Sequence, residues 1–425
     1  MKTLHRILGG VLGCCFIFIL TGFTVQNERT TELLQTERTE AAEEKHLRIA
    51  VASDLHLDPD NTDKSLNTET VYSMELVDAL LWDARQQGAD VILLTGDIVN
   101  GGKLHRHEAL TKKLARVEAE GLTVYVVPGN HDLAPITQTE FAMLYSDFGY
   151  GEAYSRDFSS LSYCIMREDC MLLMMDTAGY SAGAINEPGA PKRSDNDPFF
   201  SESTLTWVED CMKKAQEKNL HILAAGHYNL LPEISRQPHS GYCIENGDRF
   251  ADLLRAYNAP LYLSGHMHIS GVYQEDGLTE LLTEYLLSYP TGYSLIDLTE
   301  NSLRYTPRRI DVDAWAKEYG ETDPVLLNFA DWQQEELYRY SVNNVRYMSE
   351  HNPIGDEEKI DAAGFFYTTM NSFWDGTLSE KREAIKKMPG YEPFFRCAEG
   401  YAYGWWLKNL IETASPMLKG FELRF

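Results

Sequence analysis

Carboxylates, imidazoles and one amide recur in a fixed order along this 425-residue chain. Asp54 and His56 stand in SDLH, Asp97 in TGDIVNGG, Asn130 in PGNHD, His227 in AGHYN, and His266 and His268 in SGHMH. Most follow a short apolar run, and the loop after a strand is where α/β folds place their chemistry. Such donors suit two divalent metals sharing one carboxylate. Ions about 3.5–4 Å apart can hold a phosphate ester and activate a water for in-line attack. Asp54 and His56, two apart at a strand end, can turn to the same side and serve one metal. Asp97 ends the next strand behind Gly96 and is the natural bridging carboxylate. Asn130, His227 and His266 offer ligands to the second metal, and His268 returns to the first. His131 cannot easily reach a metal that Asn130 holds. It is better placed beside the phosphate, to stabilise charge or protonate the leaving oxygen. Asp132 can hold its other ring nitrogen and fix the tautomer. Each motif alone reads equally well as turn chemistry; the signal is their joint order at strand ends.

The elements that position them alternate. Residues 47–53 read as a strand, 69–87 as a helix stopped by Gly88, 91–94 as a strand, 105–120 as a helix and 123–127 as a strand. This argues for βαβ units and a largely parallel inner sheet. Residues 161–176 read as a hairpin around REDC and 179–200 as a long surface loop. A helix over 203–218 precedes a strand at 221–225, and a helix over 245–256 precedes one at 261–264. Three further strands fit 271–306, giving a sheet-on-sheet sandwich flanked by helices. From Pro324 on the pattern is helical and rich in Tyr and Trp. Those aromatics read as the core of a helical domain or, more sharply, as a wall that overhangs the site. His105 and His107 open a helix and are expected at the surface, with contact on the substrate side as the alternative, and Asp176 is expected as a turn carboxylate or, alternatively, as a support behind the ligands.

Length exceeds the roughly 100–200 residues of one domain. The expected division is a catalytic domain over 47–310 and a helical domain over 311–425. With 64 acidic and 38 basic residues the net charge is −26, which repels nucleic-acid backbones and disfavours a polymeric substrate. Lys2 and Arg6 precede an uncharged run from Ile7 to Val25. Residues 1–25 therefore read as an export signal or membrane anchor, with the remainder outside. Val11-Leu12-Gly13-Cys14 loosely resembles a lipoprotein box, and residues 26–46 read as a charged stalk. Of seven cysteines, five lie beyond that segment at scattered spacing. They are no disulfide framework, and Cys164 and Cys170 are the nearest pair for a single bridge.

The blocks D-x-H, G-D, G-N-H-D, H and G-H-x-H, over roughly residues 47–300, resemble the calcineurin-like metallophosphoesterase superfamily. The resemblance implies a four-layered αββα sandwich. It implies that Asp97 bridges, that Asp54, His56 and His268 bind one metal, that Asn130, His227 and His266 bind the other, and that His131 is catalytic. It further implies two divalent or trivalent ions (manganese, iron or zinc). The GDIVNGG loop is similar to the corresponding loop of class III cyclic-nucleotide phosphodiesterases, which implies substrate contacts from Asn100 and Gly101 beside His131. One departure is Gly226, where many relatives carry histidine. The expected function is hydrolysis of a small phosphodiester, a cyclic nucleotide foremost, by in-line attack of a hydroxide between the metals. Monoester, nucleotide-sugar and cell-wall phosphodiester substrates are alternatives on the same centre, as is a non-enzymatic surface binding protein.

Overall fold

The computed structural model describes residues 46–64, 68–133, 135–178, 198–231 and 242–425. The expected N-terminal segment, nearly all of the stalk and most of the 179–200 loop lie outside these residues. Among the described residues, no helix is long and apolar enough to cross a membrane. Residues 46–425 form one compact unit.

Two sheets carry the architecture. The first contains β1 (His46–Ala52), β2 (Val91–Thr95), β3 (Thr123–Val127), β11 (Gly292–Thr299), β12 (Ser302–Arg309) and β13 (Phe421–Arg424), in the order β13-β12-β11-β1-β2-β3. Strands β1, β2 and β3 run parallel; the other pairs are antiparallel. The second contains β4 (Ser155–Arg156), β5 (Tyr163–Arg167), β6 (Cys170–Met174), β7 (His221–Ala225), β8 (Leu261–Ser264), β9 (Gly271–Glu275) and β10 (Leu278–Leu282), in the order β4-β5-β6-β7-β8-β10-β9. Its centre, β6-β7-β8-β10, is parallel. Residues 271–309 thus form four strands where three were expected. The turns at Asp276-Gly277 and Glu300-Asn301 are short enough to hide one boundary.

The second sheet is buried on both faces. Along β6, Cys170, Leu172 and Met174 join Ile49, Val51 and Leu93 between the sheets. Met171 and Leu173 face the other way, into a second core. A run buried on both faces loses the apolar–polar alternation of a half-exposed strand, as CMLLMM does. Helices α1 (Ser73–Gln86) and α2 (Leu104–Ala119) connect the first three strands. Leu76, Val77, Leu80, Leu81 and Ala84 form the buried stripe of α1. α3 (Gln138–Leu144) went unread in the sequence, although Thr137 and Glu140 form a complete capping box at its start.

Helices α4 (Glu202–Glu217) and α5 (Gly247–Ala256) cover the second sheet, and α6 (Val312–Glu318) follows the last long hairpin. Then come α7 (Phe329–Ser349), α8 (Asp356–Trp374), α9 (Leu378–Ile385), α10 (Tyr391–Cys397) and α11 (Ala402–Thr413). Phe365, Phe366 and Phe394 pack at 5.2 Å about Phe394. They share one core with Leu278 and Leu282 of the second sheet. The end of the chain is no helix: Leu418 pairs with Val272 of β9, and β13 then adds to β12. The nearest sulfurs are also not the expected ones. Cys164 Sγ lies 3.6 Å from Cys211 of α4, while the hairpin register sets Cys164 opposite Leu173 and Cys170 opposite Arg167.

One hydroxyl ties the sheets together. Tyr163 of β5 donates to the Val126 carbonyl (2.8 Å) and accepts from its N–H (3.1 Å), on the edge strand β3. Tyr163→Phe strands both buried groups. It should lower stability by about 1–3 kcal/mol, read as an earlier urea midpoint at unchanged slope; an unchanged midpoint refutes the tie.

Candidate metal centre

All the candidate ligands sit at carboxyl ends of parallel strands: Asp54 and His56 after β1, Asp97 after β2, Asn130 after β3, His227 after β7, His266 and His268 after β8. The chain turns sharply at these points. Asp54 (φ 52°), His56 (40°), Asp97 (48°), His266 (63°) and His268 (59°) all hold left-handed backbone. That costs a non-glycine residue on the order of 1–3 kcal/mol and persists only where the surroundings dictate it. Here the loops after β1 and β2 zip together. Asp54 N–H donates to Gly96 O (3.0 Å), His56 N–H to Asp97 O (2.9 Å), Leu57 N–H to Ile98 O (3.2 Å), and Asn100 N–H back to Leu57 O (3.1 Å). Close approach explains two glycines. A Cβ on Gly96 would lie 2.6 Å from the His227 ring, and one on Gly265 would lie 2.6 Å from Asp54 Oδ2.

The side chains converge in two groups. The donor atoms of Asp54, His56 and His268 lie within 4.8 Å of one another, as do those of Asp97, His227 and His266. Asp97 Oδ2 joins them, at 3.3 Å from His227 Nε2 and 3.6 Å from His56 Nε2. Asn130 Oδ1 lies 3.1 Å from His227 Nε2. The opposite carboxylate oxygens are held by backbone: Asp97 Oδ1 accepts from His131 N–H (2.7 Å) and Asp54 Oδ2 from His266 N–H (3.0 Å). Asp54 Oδ1 is buried without a hydrogen-bond partner, 3.2 Å from His268 Nε2 and 3.8 Å from His56 Nε2. An orphaned carboxylate oxygen among imidazole nitrogens suits a cation, and the O/N donor set suits manganese, iron or zinc alike.

Burial opposes ionisation of Asp54 and Asp97, yet the surrounding imidazoles outweigh it and hold both carboxyls below their usual range. Burial likewise opposes charge on His227, but Asp97 and Asp54 push it up to about 9.

Residues 47–270 match the family model for calcineurin-like phosphoesterase, and residues 311–413 match that for the C-terminal domain of cyclic nucleotide phosphodiesterase. The chain belongs to the calcineurin-like phosphoesterase family. A dinuclear metal centre is typical of that family, and the two donor groups are candidates to hold one. A comparison with curated proteins returned no match. Among solved structures the chain is similar to a dimetal phosphatase from Danio rerio (15% identity, TM-score 0.48, covering 62% of this chain and 96% of that one). It is also similar to GAP50, the anchor in the inner membrane complex of Plasmodium (12%, 0.41, 63% and 85%). A third is a purple acid phosphatase from yellow lupin, Lupinus luteus (11%, 0.43, 63% and 52%).

Several side chains of this phosphoesterase act differently from expectation. The Asp132 carboxylate works on the backbone. It is fully buried and accepts from Gly129 N–H (2.7 Å), Val99 N–H (3.0 Å) and Ile98 N–H (3.3 Å). Its position in a tight turn aims it inward, clamping the loop of Asp97 to that of Asn130. Burial and then the nearby Asp97 carboxylate push it up. His107, expected at the surface, is buried; its ring bonds Tyr145 Oη (2.8 Å) and Asp132 O (3.0 Å), and burial lowers it to about 4. His105 is exposed and bonds Asp60. Asp176 is a turn carboxylate, accepting from Leu161 and Ala178 N–H. Asn100 and Gly101 are exposed on the loop after Asp97, with the Asn100 amide donated to Asp58 (2.9 Å). At Gly226 a Cβ would meet the Tyr262 hydroxyl at 2.5 Å, which leaves no room for the histidine of other members.

The supporting residues went unread in the sequence. Tyr285 stacks on His268 (4.5 Å, 16°) and meets His56 edge-on (5.2 Å), while Tyr228 leans on His266 (4.2 Å). Thr95 O holds His227 Nδ1 (3.0 Å), which turns Nε2 inward. Glu280 of β10 accepts from Leu231 N–H (2.7 Å), Ser264 Oγ (2.6 Å) and Asn229 Nδ2 (3.1 Å), joining the His227 loop to the strand before His266. Its one visible signal is a charge inside the apolar run LTELL.

Two outcomes follow from this geometry. Asp97→Ala should fold yet lose bound metal by elemental analysis, and full retention of metal would sink the shared-carboxylate assignment. Asp132→Ala should cost on the order of 3 kcal/mol in urea unfolding, because it strands buried N–H groups; a loss of turnover with unchanged stability would return Asp132 to the His131 ring.

Proposed function

We propose that this phosphoesterase is a dinuclear phosphodiesterase that hydrolyses a small phosphodiester, a cyclic nucleotide foremost. The observation that supports it most is Asp97 Oδ2, which faces imidazoles of both donor groups and lies 4.0 Å from His131 Nε2. The match of residues 311–413 to the C-terminal domain of cyclic nucleotide phosphodiesterase favours the diester. When bound, the metals supply neutralisation of the phosphate oxygens and an acidified water. Asp54, His56 and His268 would hold one ion and Asn130, His227 and His266 the other, with Asp97 placed to serve both.

His131 is half-exposed, with its ring 4.9 Å from that of His56. The Asp97 carboxylate fixes its backbone, so the ring borders the centre on its open side and can hand a proton to the leaving oxygen. Asn100 and Gly101 contact the substrate from the loop after Asp97. The charged stalk and apolar N-terminal run support an exported protein, anchored, lipidated or secreted, acting outside the cell.

The test is turnover of bis(p-nitrophenyl) phosphate beside p-nitrophenyl phosphate by the manganese-loaded chain, with and without EDTA. Chelator-sensitive preference for the diester is expected. His131→Ala should lower kcat about 10²–10⁴-fold with metal retained. Preference for the monoester, or an active His131→Ala, overturns the scheme.

A further inference from the structure

Beside the metal groups lies a cleft of about 530 Å³, a volume within the range of small-molecule sites. One wall is the β8 loop, with His266 and His268; the other is aromatic, with Tyr340 of α7, Phe373 of α8, and Tyr403 and Trp406 of α11. The aromatic wall is built rather than incidental. Phe373 and Trp406 meet edge-to-face at 5.6 Å (87°), as do Tyr403 and Trp406 at 6.2 Å (78°). The Tyr340 and Tyr403 hydroxyls bond each other. Tyr242 closes one side against the His266 ring at 5.7 Å. Tyr340 stays 41% exposed, so part of this apolar surface is open to a ligand.

The lining chemistry limits the occupant. No Lys or Arg stands among the described residues that line the cleft. The ionisable groups among those described residues are the two imidazoles beside the donor groups and tyrosine hydroxyls. Rings set edge-to-face favour a flat π-system over an aliphatic chain, and stacking on a base contributes about 1–3 kcal/mol.

We propose that this cleft is the specificity pocket, in which helices α7, α8 and α11 hold the planar base of the substrate while its phosphate lies at the metals. The proposal rests on the phosphodiesterase reading above and names its substrate class as a nucleotide. Tyr340 and Trp406 are its specificity-determining residues. A sequence of catalytic motifs on one side and recognition on the other explains why the helical segment carries no metal-type motif of its own.

The test is calorimetric binding of adenosine 5′-monophosphate and ribose 5-phosphate to the full metal-loaded chain, beside turnover of 3′,5′-cyclic AMP and bis(p-nitrophenyl) phosphate. The base-bearing ligand should bind about tenfold or more tightly, the equivalent of about 1.4 kcal/mol. That ratio should collapse in Trp406→Ala and in the exposed Tyr340→Ala, and return in Tyr340→Phe, which restores the ring. A merely structural role would weaken both ligands alike and leave the ratio standing. Equal affinities, or a ratio unmoved by both alanine variants, overturn the pocket even where diesters are hydrolysed. A ratio that behaves as expected in a chain inert on every diester upholds the pocket and overturns the phosphodiesterase reading alone.

Discussion

Two buried carboxylates that face one imidazole, His56, set the terms for this structure. Asp54 and Asp97 are almost wholly removed from solvent, where like charges would repel and each would suffer desolvation. Their neighbours are imidazoles, which can supply positive charge or give it up to a metal. The rest of the centre serves this arrangement. One oxygen of each carboxylate is fixed by a backbone N–H, so the other points inward. The left-handed turns, the zipped loops and the glycines beneath His227 and Asp54 exist because five strand ends must deliver side chains to one small volume.

The resulting site is stiff through backbone rather than through side chains. Asp132 and Glu280 are both buried acids whose work is to accept N–H groups from the loops that carry ligands. Asp132 joins two loops far apart in sequence, and Glu280 joins the His227 loop to strand β8. Tyrosines do the corresponding work on the imidazoles, by stacking. Such second contacts orient ligands and tune them without touching substrate.

The convergence of the candidate ligands was readable from the sequence because each is a polar residue in a short motif behind an apolar run, and the parallel strands put those runs side by side. The αββα arrangement was readable for the same reason. What escaped reading depends on contacts between distant segments. Tyr285 has no local pattern and Glu280 only a charge in an apolar run; both gain meaning when β10 and its following loop meet the loops after β1 and β7. His107 reads as solvent-facing because Lys103, Leu104, His105 and Arg106 crowd a helix start; the loop of Asp132 folds over it. Asp132 was assigned by adjacency, and a tight turn points adjacent side chains in different directions. The strand β13 is too short to announce itself, and its partner lies more than a hundred residues earlier.

That last pairing has a consequence for how such an enzyme changes over time. The chain leaves the first sheet after β12 and comes back as its immediate neighbour β13, with Ser302 opposite Arg424. Everything between, α6 to α11, is an excursion whose exit and re-entry are one strand apart. An excursion of that kind behaves as a cassette: its helices can be lengthened, shortened or exchanged while the strand register that aims the ligands stays as it is. Selection can therefore reach the helices and the ligand-bearing loops through separate stretches of sequence, within the limit set by the core that the helices share with the second sheet.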